Sequence, residues 1–100
     1  MVDNGHERRL QADLSHPTRL SIMATLRAAN GHSLAFQTLR RLADVSESNL
    51  SKVVSKLEAL GYISVVKARE DGRRYTTISM TTFGIESFDS HVSALIASIA

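Results

Sequence analysis

The sequence predicts a mainly α fold carrying one small β-hairpin, an α+β class. Three observations lead there. Residues 47–60 keep apolar side chains at helical spacing, with Ser46 before the run and Gly61 after it. Residues 62–80 contain two runs rich in β-branched and aromatic residues, joined at Asp71-Gly72, a hairpin turn signal. Ile85, Phe88, Val92, Leu95 and Ile99 are spaced 3, 4, 3, 4, the pattern of a helix with one apolar seam.

Taken in order, Glu7 to Leu14 reads as a short helical arm with Leu10 and Leu14 four apart. Ser15 is a candidate N-cap, which puts Pro17 in the first turn, where a missing N–H does no harm. The helix Pro17 to Ala29 buries Leu20, Ile22, Met23 and Leu26 and stops at Asn30-Gly31. Ser33 to Ala35 would be a brief strand against the hairpin. Phe36 to Ala43 is the next helix, with Phe36, Leu39 and Leu42 or Ala43 inward. A turn at Asp44, Val45 and Ser46 leads to helix Glu47 to Leu60, whose stripe is Leu50, Val54, Leu57 and Gly61, widened by Val53 and Leu60. Its far face holds Ser48, Lys52, Ser55, Lys56 and Ala59, with Asn49 at the edge and no acid. Strands Tyr62 to Arg69 and Arg73 to Met80 follow; Thr81 then caps a last helix, Thr82 to Ile99.

The totals bound the function. One hundred residues make a single domain, 1–100, which buries about 60–70% of its unfolded surface. Cysteine is absent, so disulfides and cysteine metal sites are excluded. No run approaches the roughly 18 apolar residues of a membrane span, and Met1 to Arg9 lacks a signal-peptide core; a cytoplasmic protein with no membrane partner is the plain reading. Net charge is +2, distributed unevenly: +1 over residues 1–35, +3 over 36–79 and −2 over 80–100. His6, His16, His32 and His91 lack ligand spacing and read as surface or capping residues. No nucleophile–base pair, phosphate loop or carboxylate dyad stands out, so neither an enzyme nor a cofactor is expected.

Helix, turn, helix, basic hairpin is the layout of a winged helix-turn-helix, and it points to double-stranded DNA. Ser15-His16-Pro17-Thr18-Arg19-Leu20-Ser21-Ile22-Met23 resembles the opening helix of ArsR- and MarR-type regulators. The run from Ser48 to Ile63 resembles their recognition helix and the strand after it. Gly72-Arg73-Arg74-Tyr75-Thr76 resembles the wing, and Thr81-Thr82-Phe83-Gly84 the start of the C-terminal helix. The resemblance spans about residues 15–99 and is nearest to small, single-domain winged-helix transcriptional regulators of the MarR/ArsR-like type. It departs at Asp44, where glycine is common, and at the acidic wing tip, Glu70-Asp71.

The expected function is sequence-specific binding of double-stranded DNA by a homodimeric regulator. Helix 47–60 would enter the major groove, and wing 67–75 would meet the backbone or minor groove. Asn49 and Lys52 suit base edges, and Lys56 lies on the same DNA-binding face. Ser46, Ser48, Ser51 and Ser55 are small enough for close approach, while Arg69, Arg73 and Arg74 suit phosphate. Helix 81–99 is the expected dimerisation element, through Phe88, Val92, Leu95, Ile96 and Ile99, joined by Leu10 and Leu14 of the arm. Two other readings fit the same residues: a winged-helix module that docks onto a protein, and a nonspecific architectural DNA-binding protein. The pattern leaves a small-molecule effector open and names neither the operator nor the sign of regulation.

Overall fold

The structure is a computed structural model that describes residues 12–99. The predicted arm therefore lies largely outside it, Leu10 included. Residues 12–15 are helical. Ser15 is thus not the N-cap expected of it. The chain breaks one residue later, at His16 (φ −63°, ψ 123°), and the cap carries no side-chain hydrogen bond. Helix α1, Pro17–Ala28, opens on a proline whose missing N–H needs no partner there. Its buried residues are Ile22, Met23 and Leu26.

Gly31 at φ +64° turns the chain through a 3₁₀ segment, Asn30–His32, into strand β1, Ser33–Ala35. Helix α2, Phe36–Ala43, buries Leu39. Ala43 is its inward partner, half-buried; Leu42 is 59% exposed. Asp44 ends α2 in the left-handed region at φ 53°. The Val45 N–H then reaches the Arg40 carbonyl at 3.2 Å and the Asp44 N–H the Arg41 carbonyl at 3.3 Å. This is the Schellman pattern with aspartate in the usual glycine place, so the helix–helix turn keeps its geometry.

Helix α3, Glu47–Ala59, is capped at both ends. The Ser46 hydroxyl accepts from the Asn49 N–H at 3.2 Å. At the other end the Tyr62 N–H bonds the Leu57 carbonyl and the Gly61 N–H the Glu58 carbonyl, each at 3.0 Å. Gly61 sits at φ +85°, the left-handed value this motif requires. Because Tyr62 is held in that cap, strand β2 starts one residue later than predicted, at Ile63, and runs to Glu70. Strand β3 is Arg73–Met80. Asp71 and Gly72 both have positive φ, 52° and 76°, as a type I′ hairpin turn demands.

The antiparallel sheet has the order β1-β3-β2. Val65 faces Ile78, Lys67 faces Thr76 and Arg69 faces Arg74 across the hairpin. Ser33 and Ser79 join β1 to β3 through their hydroxyls at 2.8 Å. Helix α4, Thr82–Ile99, is capped by Thr81, whose hydroxyl donates to the Gly61 carbonyl (2.6 Å) and accepts from the Gly84 N–H (2.9 Å).

One core joins these elements: Leu14, Ile22, Met23, Leu26, Leu39, Leu50, Val54, Leu57, Tyr62, Ile63, Ile78, Met80 and Phe88. Two residues assigned to a dimer seam are therefore corrected. Leu14 is fully buried and Phe88 is 8% exposed, both within their own chain. Val92 packs partly against the same core. The seam's 3–4 spacing marks an apolar face without saying what covers it, and the first half of α4 spends that face on its own domain. His91 is also corrected. It is 6% exposed, not a surface residue, and among the described residues neither ring nitrogen has a hydrogen-bond partner. His32 does behave as a capping residue, its Nδ1 lying 3.1 Å from the Arg27 carbonyl.

Candidate nucleic-acid interface

Burying Leu50, Val54 and Leu57 turns the polar arc of α3 to solvent. Ser48, Asn49, Ser51, Lys52, Ser55 and Lys56 are all exposed, as is Ser46 at the cap. The positive end of the helix dipole and the first free N–H groups lie beside Ser46, Glu47 and Ser48, where a phosphate oxygen would be well received. Ser46 accepts a bond in the cap and keeps its hydroxyl proton to donate.

The hairpin's alternation sorts the arginines. Opposed residues in a ladder project to the same face. Ile63, Val65, Ile78 and Met80 lie on the core side, and Lys67, Thr76, Arg69 and Arg74 continue that face outward. Arg73 opposes Glu70 on the other face, along with Ala68 and Tyr75. The two neighbouring arginines thus point to opposite sides. Arg69 and Arg74 stand directly opposite each other on one side, an arrangement that is unfavourable unless an anion lies nearby. Among the described residues the ion pairs are Arg19–Asp13 and Arg27–Asp89, so no described acid neutralises these wing bases.

Between α3 and the hairpin lies an open groove of about 950 Å³. One wall is Glu47, Ser51, Ser55 and Glu58; the other is Lys67, Arg74 and Thr76. Val54 and Val65 contribute apolar surface between them. Sequence reasoning missed Lys67, Glu47 and Glu58 as parts of this surface. Alternation outward from Asp71-Gly72 would have found Lys67, and the spacing 47, 51, 55, 58 would have put the glutamates on one edge of the helix.

Tyr62 ties this surface to the rest of the molecule. Its ring stacks on Phe83 with centroids 5.3 Å apart. Its hydroxyl donates to Asp13 Oδ2 at 3.5 Å, and Asp13 lies 3.8 Å from Arg19. Burial first, and the Asp13 charge second, push the phenol up to about 12, so it remains a donor.

The helix–turn–helix, the three-stranded sheet and the exposed basic hairpin agree with a family-level match: the winged helix DNA-binding domain family matches residues 18–99. The chain belongs to that family. Solved structures agree with this winged-helix assignment. A transcriptional regulator homologue from Pyrococcus horikoshii OT3 is 28% identical, with a TM-score of 0.82 and 94% of each chain covered. AbsC, a MarR family regulator from Streptomyces coelicolor, is 20% identical with a TM-score of 0.74, over 92% of this chain and 64% of its own. Sco3205, a MarR family regulator from the same organism solved in complex with DNA, is 22% identical with a TM-score of 0.69, over 89% and 61%. The winged-helix chain thus spans under two thirds of these two MarR-family proteins and shares their fold. No curated protein sequence matches it. The family is that of winged helix DNA-binding domains, and the fold is the one these solved transcriptional regulators share. Among the described residues no helix is long and apolar enough to cross a membrane.

Proposed function

We propose that the chain is a cytoplasmic, homodimeric transcriptional regulator that binds double-stranded DNA in a sequence-specific manner as one winged-helix unit. Helix α3 enters the major groove. Asn49 and Lys52 meet base edges from its first turns, and Lys56, with the serine hydroxyls, meets phosphate. The observation that carries the reading is the pairing of an acid-free helix face with Arg69 and Arg74, like charges held opposite each other on the neighbouring hairpin. Such a pair is tolerated most readily where a polyanion lies against it. Dimerisation is supported by Leu95, Ile96 and Ile99, which are 46%, 58% and 84% exposed at the end of α4. A two-fold pair would set two recognition helices about 34 Å apart, one turn of DNA.

The test is a salt titration of alanine variants on a duplex selected by the native chain and on a shuffled duplex. Asn49→Ala or Lys52→Ala should cost about 1–3 kcal/mol on the selected site and less on the shuffled one. Arg69→Ala or Arg74→Ala should weaken both alike and lower the salt slope by about 1 per lost phosphate contact. Arg73→Ala, on the far face beside Glu70, should do so less. Equal losses on both duplexes for every variant would leave nonspecific charge binding. No loss in any would remove DNA as the partner and favour docking to a protein.

A further inference from the structure

The hairpin has an outer face, turned away from α3, that the DNA contacts above leave free. Ladder partners share a face, so Val66 with Thr77, Ala68 with Tyr75 and Glu70 with Arg73 lie together on it. Val66 is 56% exposed and Tyr75 44%, and as diagonal neighbours across the ladder they make one apolar patch. Ala68 beside them is small and exposed. Glu70 and Arg73 close the patch at the turn. Among the described residues neither belongs to an ion pair, so both charges are available to a partner.

We infer that this outer face of the wing is a contact surface for the wing of a second copy bound at a neighbouring DNA site. The inference rests on the DNA-binding reading above. The register of the hairpin carries it. A two-fold axis running along the hairpin, between β2 and β3, sets each β2 residue over the residue that opposes it in its own ladder, now supplied by the second copy. Glu70 then meets an arginine, Arg73 of the second copy, and Arg73 meets the second Glu70. Ala68 meets Tyr75, a small side chain under a large one. Charge and size are thus self-complementary in a single arrangement. The same axis puts both hairpin turns at one end, while each Arg69–Arg74 face stays turned toward its own α3. Both wings therefore approach one duplex tip first, related by the dyad of an inverted repeat. The face is far smaller than the roughly 20–30 residues a side of a stable interface, so it does not hold free copies together. Copies on adjacent sites are already concentrated, and there a weak contact acts as cooperativity.

The experiment uses the full chain and duplexes carrying one selected site or two side by side as an inverted repeat. The spacing is stepped by single base pairs across one helical turn, about 10 bp. Quantitative footprinting gives each protein's affinity for the second site relative to its own affinity for a single site. At a favoured spacing the native ratio should be about five- to tenfold, the scale of two exposed charge pairs over a small apolar contact. Glu70→Arg and Arg73→Glu each bring like charges together, and each should return the ratio to near one. The double exchange, Glu70→Arg with Arg73→Glu, restores opposite charges across the axis and should restore the ratio. Dividing by single-site affinity removes any change in how each variant grips DNA. Independent filling of the two sites at every spacing would overturn the inference while the DNA-binding reading stands. A ratio that survives both single reversals, or that the double exchange does not restore, would place the contact elsewhere and overturn it too. A native chain that selects no site would sink the DNA-binding reading itself, and the inference with it.

Discussion

Tyr62 and Phe83 stack with their rings 5.3 Å apart and 4° from parallel, joining the end of α3 to the start of α4. The contact is tight enough to dictate the next residue. A Cβ at Gly84 would run into the backbone carbonyl of Tyr62. That carbonyl also accepts from the Thr81 N–H at 3.1 Å, so it is anchored on both sides.

Gly84→Ala should therefore destabilise the protein by about 1–3 kcal/mol or more, since a backbone clash cannot be relieved by a rotamer change. Urea denaturation monitored by circular dichroism measures it. A midpoint equal to the native one would show that α4 can move off Tyr62 freely.

The two halves of α4 should respond differently to substitution. Phe88→Ala opens the chain's own core and should cost about 3–5 kcal/mol of folding stability. Leu95→Glu with Ile99→Glu alters exposed residues, so the monomer should melt almost as before while self-association is lost. Analytical ultracentrifugation beside thermal melts separates the two effects. A native chain that sediments as a monomer at high micromolar concentration would refute the seam.

Arg27 and Asp89 form a two-pronged pair, at 2.9 and 3.2 Å, between α1 and α4. The hydrogen bond from Arg27, more than its charge, holds the Asp89 carboxyl below its ordinary 3.8. A folded value below the unfolded one gives stability that is present above about pH 4 and lost as pH falls through the folded value. Asp89→Asn should therefore flatten the acid limb of a melting-temperature profile. Both groups are well exposed, so the difference should be small. Parallel acid limbs in native and variant proteins would show that the pair contributes nothing.

Much of the molecule is written in local chemistry. Ser46, Asp44, Gly61, Asp71-Gly72 and Thr81 each act on backbone groups a few residues away, so their positions set where helices end and how the hairpin turns. The acid-free face of α3 follows in the same way, because 3.6-residue periodicity needs only to know which side is apolar. The roles of Leu14, Phe88, Leu42 and His91 were decided by tertiary packing. An apolar side chain at seam spacing reads the same whether its own core or a second chain covers it, and a histidine carries no local mark of burial. The opposition of Glu47 and Glu58 to Lys67 and Arg74 has the same origin. Each pair is periodic within its own element, but facing walls exist only once the hairpin folds back beside α3.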